Sequence, residues 1–211
     1  MNTYFLHLKA LLKKLGLAFL IFTLCRLLFY FFNTHHFPSI KFSAFTYGIR
    51  FDWVSISFLF APLIILQLLP FSFRNFKWYQ KLLAFCFYTA NTLAIILNLI
   101  DVAYFDFTLK RTTTDFFGMI GTGNDFFTLL PHYIIDFWYD YILLAGLLFI
   151  SWFLYKKINK SNFKFYPYTK ADYLKHSAIF IVFISLTVFG IRGGIQYKPI
   201  DIVNAWQYAK A

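Results

Sequence analysis

The chain of 211 residues contains no glutamate, and only 14% of its residues are charged. A soluble domain usually carries about a quarter charged residues, so this composition argues against a small soluble protein. The two cysteines, Cys25 and Cys86, both lie inside apolar runs, which predicts buried thiols rather than a disulfide or a zinc site. Because no phosphate-binding loop, GxSxG or HExxH motif occurs, we predict no catalytic site within the chain.

Long apolar runs dominate what is present: 60% of the residues are hydrophobic and 24% are aromatic. A helix that spans a bilayer needs about 20 mostly apolar residues. Five runs approach that length, so we predict an all-α, polytopic membrane helix bundle of about five transmembrane helices. The predicted helices cover residues 15–32, 53–69, 82–100, 134–155 and 178–191. The first run resembles a signal peptide, but no small-x-small cleavage site follows it, which favours an uncleaved helix.

The 20 lysines and arginines outnumber nine acidic residues, for a formal net charge of +11. If the N-terminus is cytoplasmic, the inner segments hold 12 of these cations and the outer segments seven, while eight of nine aspartates fall outside or at the outer boundary. The positive-inside rule therefore predicts N-in, C-out topology. The cations separate the apolar runs rather than forming one basic stripe, so we expect membrane lipids as partners and no nucleic acid.

This topology divides the chain into a transmembrane domain, residues 1–191, and an extracytoplasmic junction, residues 192–211. The longest outer connection is Asp101–Tyr133. Its Phe116–Leu130 portion mixes aromatic and polar residues with three glycines. Such a composition predicts one or two short interfacial helices along the outer membrane surface.

Several polar side chains in or beside the apolar runs need a physical reason, because an ionised group at the centre of a spanning helix costs at least about 2.5 kcal/mol. Arg26 can reach lipid phosphate, pair with an aspartate, or line a head-group pocket. Asn91, Asn98 and Asp101 share one face of the third helix, which indicates either contacts between helices or a groove open to the outside. Arg50 and Asp52 favour a salt bridge at the membrane boundary.

Metal binding is not predicted in this chain. Asp101, Asp115 and Asp125 are oxygen ligands in principle, but they have neither close spacing nor histidine partners. The neighbouring residues His35 and His36 fall in an outer turn, where we expect them to be solvated.

Three segments on the predicted outer side resemble a known family. Gly48–Asp52 (GIRFD) precedes the second helix, Asn98–Phe107 (NLIDVAYFDF) closes the third, and Arg192–Ile200 (RGGIQYKPI) follows the last. The second segment is followed by Lys110 and Arg111. In this order and spacing, the chain resembles the N-terminal membrane domain of the lipoteichoic acid synthase-like family, particularly its Bacteroidetes members. These are membrane phosphoglycerol transferases and sulfatase-fold proteins of the alkaline phosphatase superfamily.

The resemblance implies a division of labour. Family members continue into a large extracellular sulfatase-type domain, which holds a threonine nucleophile and manganese or magnesium. This chain ends at Ala211 before such a domain and has no glutamate for its metal site, so we expect it to be catalytically incomplete, with no cofactor of its own. The resemblance implies a membrane anchor, and a possible lipid-substrate groove, in the bacterial cytoplasmic membrane. Whether the whole protein is an enzyme stays open.

The resemblance and the polar pattern together select candidate residues for contacts with lipid head groups or with a catalytic domain. They are Arg26, Arg50, Asp52, Asn91, Asn98, Asp101, Lys110, Arg111, Arg192, Gln196 and Lys198. The alternative is a stand-alone polytopic membrane protein, either a small transporter or a lipid-binding subunit. The sequence has no internal repeat, and its polar residues cluster outside the midplane. Both features favour the membrane-domain hypothesis over a transporter.

Overall fold

The computed structural model describes residues 3–37, 43–109, 111, 135–158 and 169–194. These residues are predominantly helical, and no β-strand occurs among them. The α-helices are α1 Thr3–Phe32, α2 Ser43–Leu59, α3 Ala61–Leu68, α4 Lys77–Thr108, α5 Trp138–Ile158 and α6 Lys170–Arg192. Two short 3-10 turns, Thr34–His36 and Ser72–Asn75, follow α1 and α3.

Four of these helices, α1, α4, α5 and α6, are long and apolar enough to cross a bilayer. Helices α2 and α3 pass the same test together, although they meet at an angle of 59°. The predicted all-α membrane helix bundle is therefore confirmed, with four to five possible spans where about five were predicted. The N-in, C-out orientation stays a prediction, and the predicted interfacial helices of Phe116–Leu130 lie outside the described residues.

The second predicted span is wrong as a single helix, because the chain breaks at Phe60. Pro62 lies in the first turn of α3 and has no backbone N–H, so it cannot donate to the hydrogen-bond ladder of α2. Phe60 still bridges the two helices: its N–H donates to the Ile56 carbonyl, and its carbonyl accepts from the Ile64 N–H, each at 2.9 Å. The break is therefore a bend rather than a separation of the two helices.

The helices also extend beyond the predicted apolar runs. α1 begins at Thr3 rather than at residue 15, because His7, Ala10, Leu11 and Lys14 continue one buried face at the spacing i, i+3, i+4, i+7. Hydropathy marks only the part suited to hydrocarbon, whereas packing of such a face extends the helix. In the same way α4 covers 77–108 rather than 82–100. Helix α5 is the exception: it is shifted along the chain, covering 138–158 rather than 134–155.

Helix α6 begins at Lys170 rather than at residue 178, because a capping box starts it. The Asp172 N–H donates to Thr169 Oγ1 at 3.3 Å, and the Thr169 N–H donates to Asp172 Oδ2 at 3.0 Å. Gly193 ends the helix in the left-handed conformation, with φ of 78°. The resulting helix of 23 residues is long enough to cross a bilayer, whereas the fifth predicted span, 178–191, was short for a membrane helix.

The chain divides into two compact units, and the first comprises described residues 3–20, 43–91, 154–158 and 169–194. Within it, α2 and α3 pack against α6. Gly190 makes this approach possible: a Cβ there would collide with Ser57 Oγ and lie 2.7 Å from Trp53 Nε1. A small residue at a helix contact lets two backbones come close in a membrane protein.

The second unit comprises described residues 21–37, 92–109, 111 and 135–153. Its buried side chains include Ile21, Phe22 and Cys25 of α1, together with Leu99 and Val102 of α4. Cys25 is thus a buried free thiol, as the apolar run predicted. Cys86, which belongs to the first unit, is also free but only half-buried.

We predict that Gly190→Ala lowers the free energy of unfolding by about 1–3 kcal/mol, the usual cost of forcing extra volume into a packed contact. Gly146→Ala is the matched control, because its Cβ meets no atom within 4 Å. Alanine is a better helix former than glycine by up to about 1 kcal/mol, so the control should be neutral or stabilised. Unfolding in detergent micelles measures both variants. Equal stability of the two would show that α2 and α6 do not approach closely at Gly190.

Candidate functional site

The candidate site lies in the second unit, where the turn after α1 meets the last turns of α4. Asn33 fixes this meeting point: its Nδ2 donates to the Phe29 carbonyl at 3.1 Å and to the Val102 carbonyl at 3.2 Å. Asn33 is only 1% exposed, and one donor group therefore joins the end of α1 to the backbone of α4. A buried amide must satisfy its donors, which makes this contact specific.

Arg111 is held against α4 by two residues of the predicted polar stripe. Its Nε and Nη2 donate to Asp101 Oδ2 at 2.7 Å and 2.6 Å, and Nη2 lies 3.2 Å from Asn98 Oδ1. Asp101 is buried, whereas 59% of the Arg111 side chain is exposed. The buried carboxylate thus orients the guanidinium group of a side chain that remains largely exposed.

An aromatic cluster supports the same group. The guanidinium carbon of Arg111 lies 5.5 Å from the centroid of the Phe29 ring, within cation–π range. Phe29 packs edge-on against Phe105 at 5.1 Å, and Phe37 stacks on Phe105 at 5.4 Å. The rings thus join α1, the turn after it and α4 around the arginine.

This arrangement can bind an anion. A guanidinium has five N–H donors in a fixed plane, which matches phosphate and sulfate oxygens better than a lysine ammonium does. Asp101 and Asn98 accept from Nε and Nη2 and hold the guanidinium in place, so little side-chain freedom is lost when an anion binds it. Phosphate or sulfate esters of a lipid head group have the required chemistry.

In the first unit, the structure brings together two further segments selected from the sequence. Arg50 Nε donates to the Gly193 carbonyl at 2.9 Å, which ties α2 to the end of α6. The carbonyl belongs to the left-handed cap of α6, whose geometry directs it away from the helix ladder. Arg50 therefore joins two helices that are distant in sequence, while its pairing with Asp52 stays a prediction.

A buried polar cluster in the first unit was missed by the sequence reasoning, which assigned Lys14 and Arg74 to positive-inside topology and treated His7 as one of several scattered histidines. Lys14 is fully buried, donates to Gln67 Oε1 at 2.9 Å, and lies 5.3 Å from the centre of the Tyr155 ring. His7 and Arg74 are also fully buried; His7 Nε2 lies 2.8 Å from Asn75 Oδ1. The signal was available, since residues 7 and 14 share the buried face of α1.

The remaining described candidates differ in burial. Asn91 is buried on α4, Arg26 and Asp52 are half-buried, and Arg192 is exposed at the end of α6. Lys110, Gln196 and Lys198 lie outside the described residues. Of the predicted set, Asn98 and Asp101 both contact Arg111 directly.

No protein-family model, curated protein or solved structure matches this chain. The resemblance to the lipoteichoic acid synthase-like family therefore stays a prediction. Function has to be argued from the geometry of the site.

We predict that Lys14→Ala lowers the free energy of unfolding by about 1–3 kcal/mol, because it leaves the buried Gln67 Oε1 without its donor. Lys13→Ala is the matched control: Lys13 is exposed on the same turn, and surface substitutions usually stay within about 0.5 kcal/mol. Unfolding in micelles compares them. A Lys14→Ala protein more stable than wild type would mean that the desolvation free energy of the buried ammonium exceeds the stabilisation from its contacts.

Proposed function

We propose that this chain is the membrane domain of a lipoteichoic acid synthase-like phosphoglycerol transferase or sulfatase family protein in the bacterial cytoplasmic membrane. In this proposal it anchors the protein, and Arg111 binds the anionic head group of a lipid-linked substrate. The observation that carries the proposal is the Arg111 guanidinium, oriented by buried Asp101 and still 59% exposed.

Two contacts support the family part of the proposal. Asn98 and Asp101 belong to the second segment of the resemblance, and both contact Arg111 just beyond it. Arg50 of the first segment donates to Gly193 of the third. The first and third segments, far apart in sequence, are thus in direct contact, and the second holds the arginine that follows it.

The chemistry assigned to this chain is binding and proximity. In the family, the ester bond is attacked by a nucleophile activated by manganese or magnesium in the extracellular domain. A membrane domain that holds the head group raises the local concentration of substrate at the extracellular domain that it anchors. Arg111 suits this role because it contacts Asp101, which directly follows the third predicted span, at the depth where a head group meets water.

We predict that Arg111→Gln weakens binding of phosphatidylglycerol at least about tenfold, since charge-assisted contacts to phosphate contribute about 1.5–3 kcal/mol. Arg111→Lys should restore only part of the affinity, because an ammonium lacks the planar fork. Native mass spectrometry of delipidated protein, titrated with phosphatidylglycerol or phosphatidylcholine, measures the effect. Lys13→Gln, a change at an exposed cation of the first unit, is the control. Unchanged phosphatidylglycerol binding by Arg111→Gln would refute the head-group assignment.

The family assignment is tested by the native gene product. An antibody against the segment 195–211 should detect, in the source bacterium, a protein well above the 25.1 kDa of this chain. Protease added to spheroplasts should remove the additional mass, because the junction is predicted to be extracytoplasmic. A native product of 25 kDa, or extra mass protected until lysis, would contradict the assignment.

A second candidate, a stand-alone membrane protein such as a small transporter, is favoured by one observation. Lys14 and Arg74 are fully buried in the first unit, and both lie in or next to apolar helices. Ionisable residues in such surroundings often line transport or proton pathways. The size of the native product separates this candidate from the first.

A further inference from the structure

Beside the Arg111 site, three potential metal ligands converge at the turn after α1. His35 Nε2 and His36 Nε2 each lie 2.8 Å from the same atom, Asp106 Oδ1 in the last turn of α4. The two imidazole rings are 4.0 Å apart between centroids. One nitrogen or oxygen from each residue lies within 4.8 Å of the others.

The positions of these atoms suit a transition metal. Zinc binds imidazole nitrogen at about 2.0–2.1 Å and carboxylate oxygen at about 2.0–2.2 Å, which puts neighbouring ligands about 3.3 Å apart in a tetrahedron. The observed separations of 2.8 Å need only a small outward movement of each side chain. Asp106 and His35 are 53% and 59% exposed at their side chains, so both have room to make it.

The surrounding contacts hold the three ligands in place before any metal binds. Asn33 directly precedes the turn and binds the Val102 carbonyl of α4, one helical turn before Asp106. Thr34 Oγ1 lies 2.8 Å from both the Tyr30 and the Phe31 carbonyl oxygens, and its one proton, donated to either of them, fixes the start of the 3-10 turn. The His36 ring packs edge-on against Phe105 at 5.7 Å. Groups that orient ligands in this way raise metal affinity.

We propose that His35, His36 and Asp106 form a binding site for a zinc-type divalent transition metal, with its remaining coordination positions open to water or to an anionic oxygen. Two imidazoles and one carboxylate suit zinc, and also cobalt, nickel or iron. Magnesium and calcium prefer sites made wholly of oxygen, so they are excluded as the physiological ion. This site is separate from the manganese or magnesium that the family resemblance implies for another domain, and it does not depend on the function proposed for Arg111.

Metal binding would cross-link the turn after α1 to the end of α4. That link adds to the Asn33 contact, and it involves Asp106 on the same helix as Asp101. Three protein ligands with an open position are typical of reactive or exchangeable sites, whereas purely structural zinc sites use four.

The test uses the full chain in lipid nanodiscs, purified with a tag that contains no histidine and treated with chelator. We expect isothermal titration with zinc chloride to give one site per chain, and magnesium chloride to give no heat of binding at millimolar concentration. Cobalt should bind at the same site with visible absorption bands of low coordination number. Failure of both zinc and cobalt to bind would overturn the proposal.

Variants locate the site. His35→Ala, His36→Ala and Asp106→Asn should each weaken zinc binding at least about tenfold, as loss of orienting groups alone already costs 10–100-fold at known sites. Asp106→Asn keeps an oxygen that can accept hydrogen bonds from both histidines but removes the carboxylate charge. A loss of zinc binding in this variant therefore reflects the missing metal ligand and not a disrupted turn. Asp172→Asn, which removes a carboxylate on α6, should bind zinc like wild type.

Two comparisons keep the outcome unambiguous. Arg111→Gln should retain zinc binding, so that failure of the head-group proposal and failure of this one remain distinguishable. If His36→Ala loses helicity by circular dichroism, His35→Gln serves instead, because His35 is the more exposed of the two histidines. Zinc affinity unchanged in His35→Gln and Asp106→Asn would place the metal elsewhere and refute the site.

Discussion

Hydrocarbon offers no hydrogen-bond partner, and the described part of this chain is organised around that constraint. Backbone groups bond within helices, which is the solution open to an apolar chain that is not a closed barrel. Polar side chains must find their partners inside the protein. Lys14 uses Gln67 and Asn33 uses the Val102 carbonyl, while Asp101 is paired with Arg111. The first two pairs join α1, or the residue directly after it, to another helix, and the third holds the chain after α4 against that helix.

The same constraint explains where the helices are irregular. Pro62 cannot donate a backbone hydrogen bond at the junction of α2 and α3. The two helices meet there at an angle of 59° instead of being separated by unpaired backbone. Gly190 allows α6 to approach α2 closely, since hydrophobic attraction between helices is weak in lipid and close packing must supply the contact energy. The bend and the close approach both lie in the first unit.

The second unit gathers a different chemistry at the end of α1 and α4. Aromatic rings around Phe29 and Phe105 support a surface guanidinium and a pair of imidazoles. The two groups can serve complementary ligands, because an arginine fork binds anionic oxygens while imidazoles with Asp106 bind a cation. That combination would suit a surface that meets lipid head groups, and each group is held by its own contacts.

The sequence by itself determined the fold class, because runs of about 20 apolar residues have few physical alternatives to spanning helices. It also selected Asn98 and Asp101, since helical periodicity places them on one face. Only the tertiary structure decided that Arg111 closes on them, that Lys14 is buried, and that His35 and His36 meet Asp106. Those contacts join residues from separate helices or turns, and the geometry that brings them together comes from packing and backbone direction, which composition and spacing do not encode.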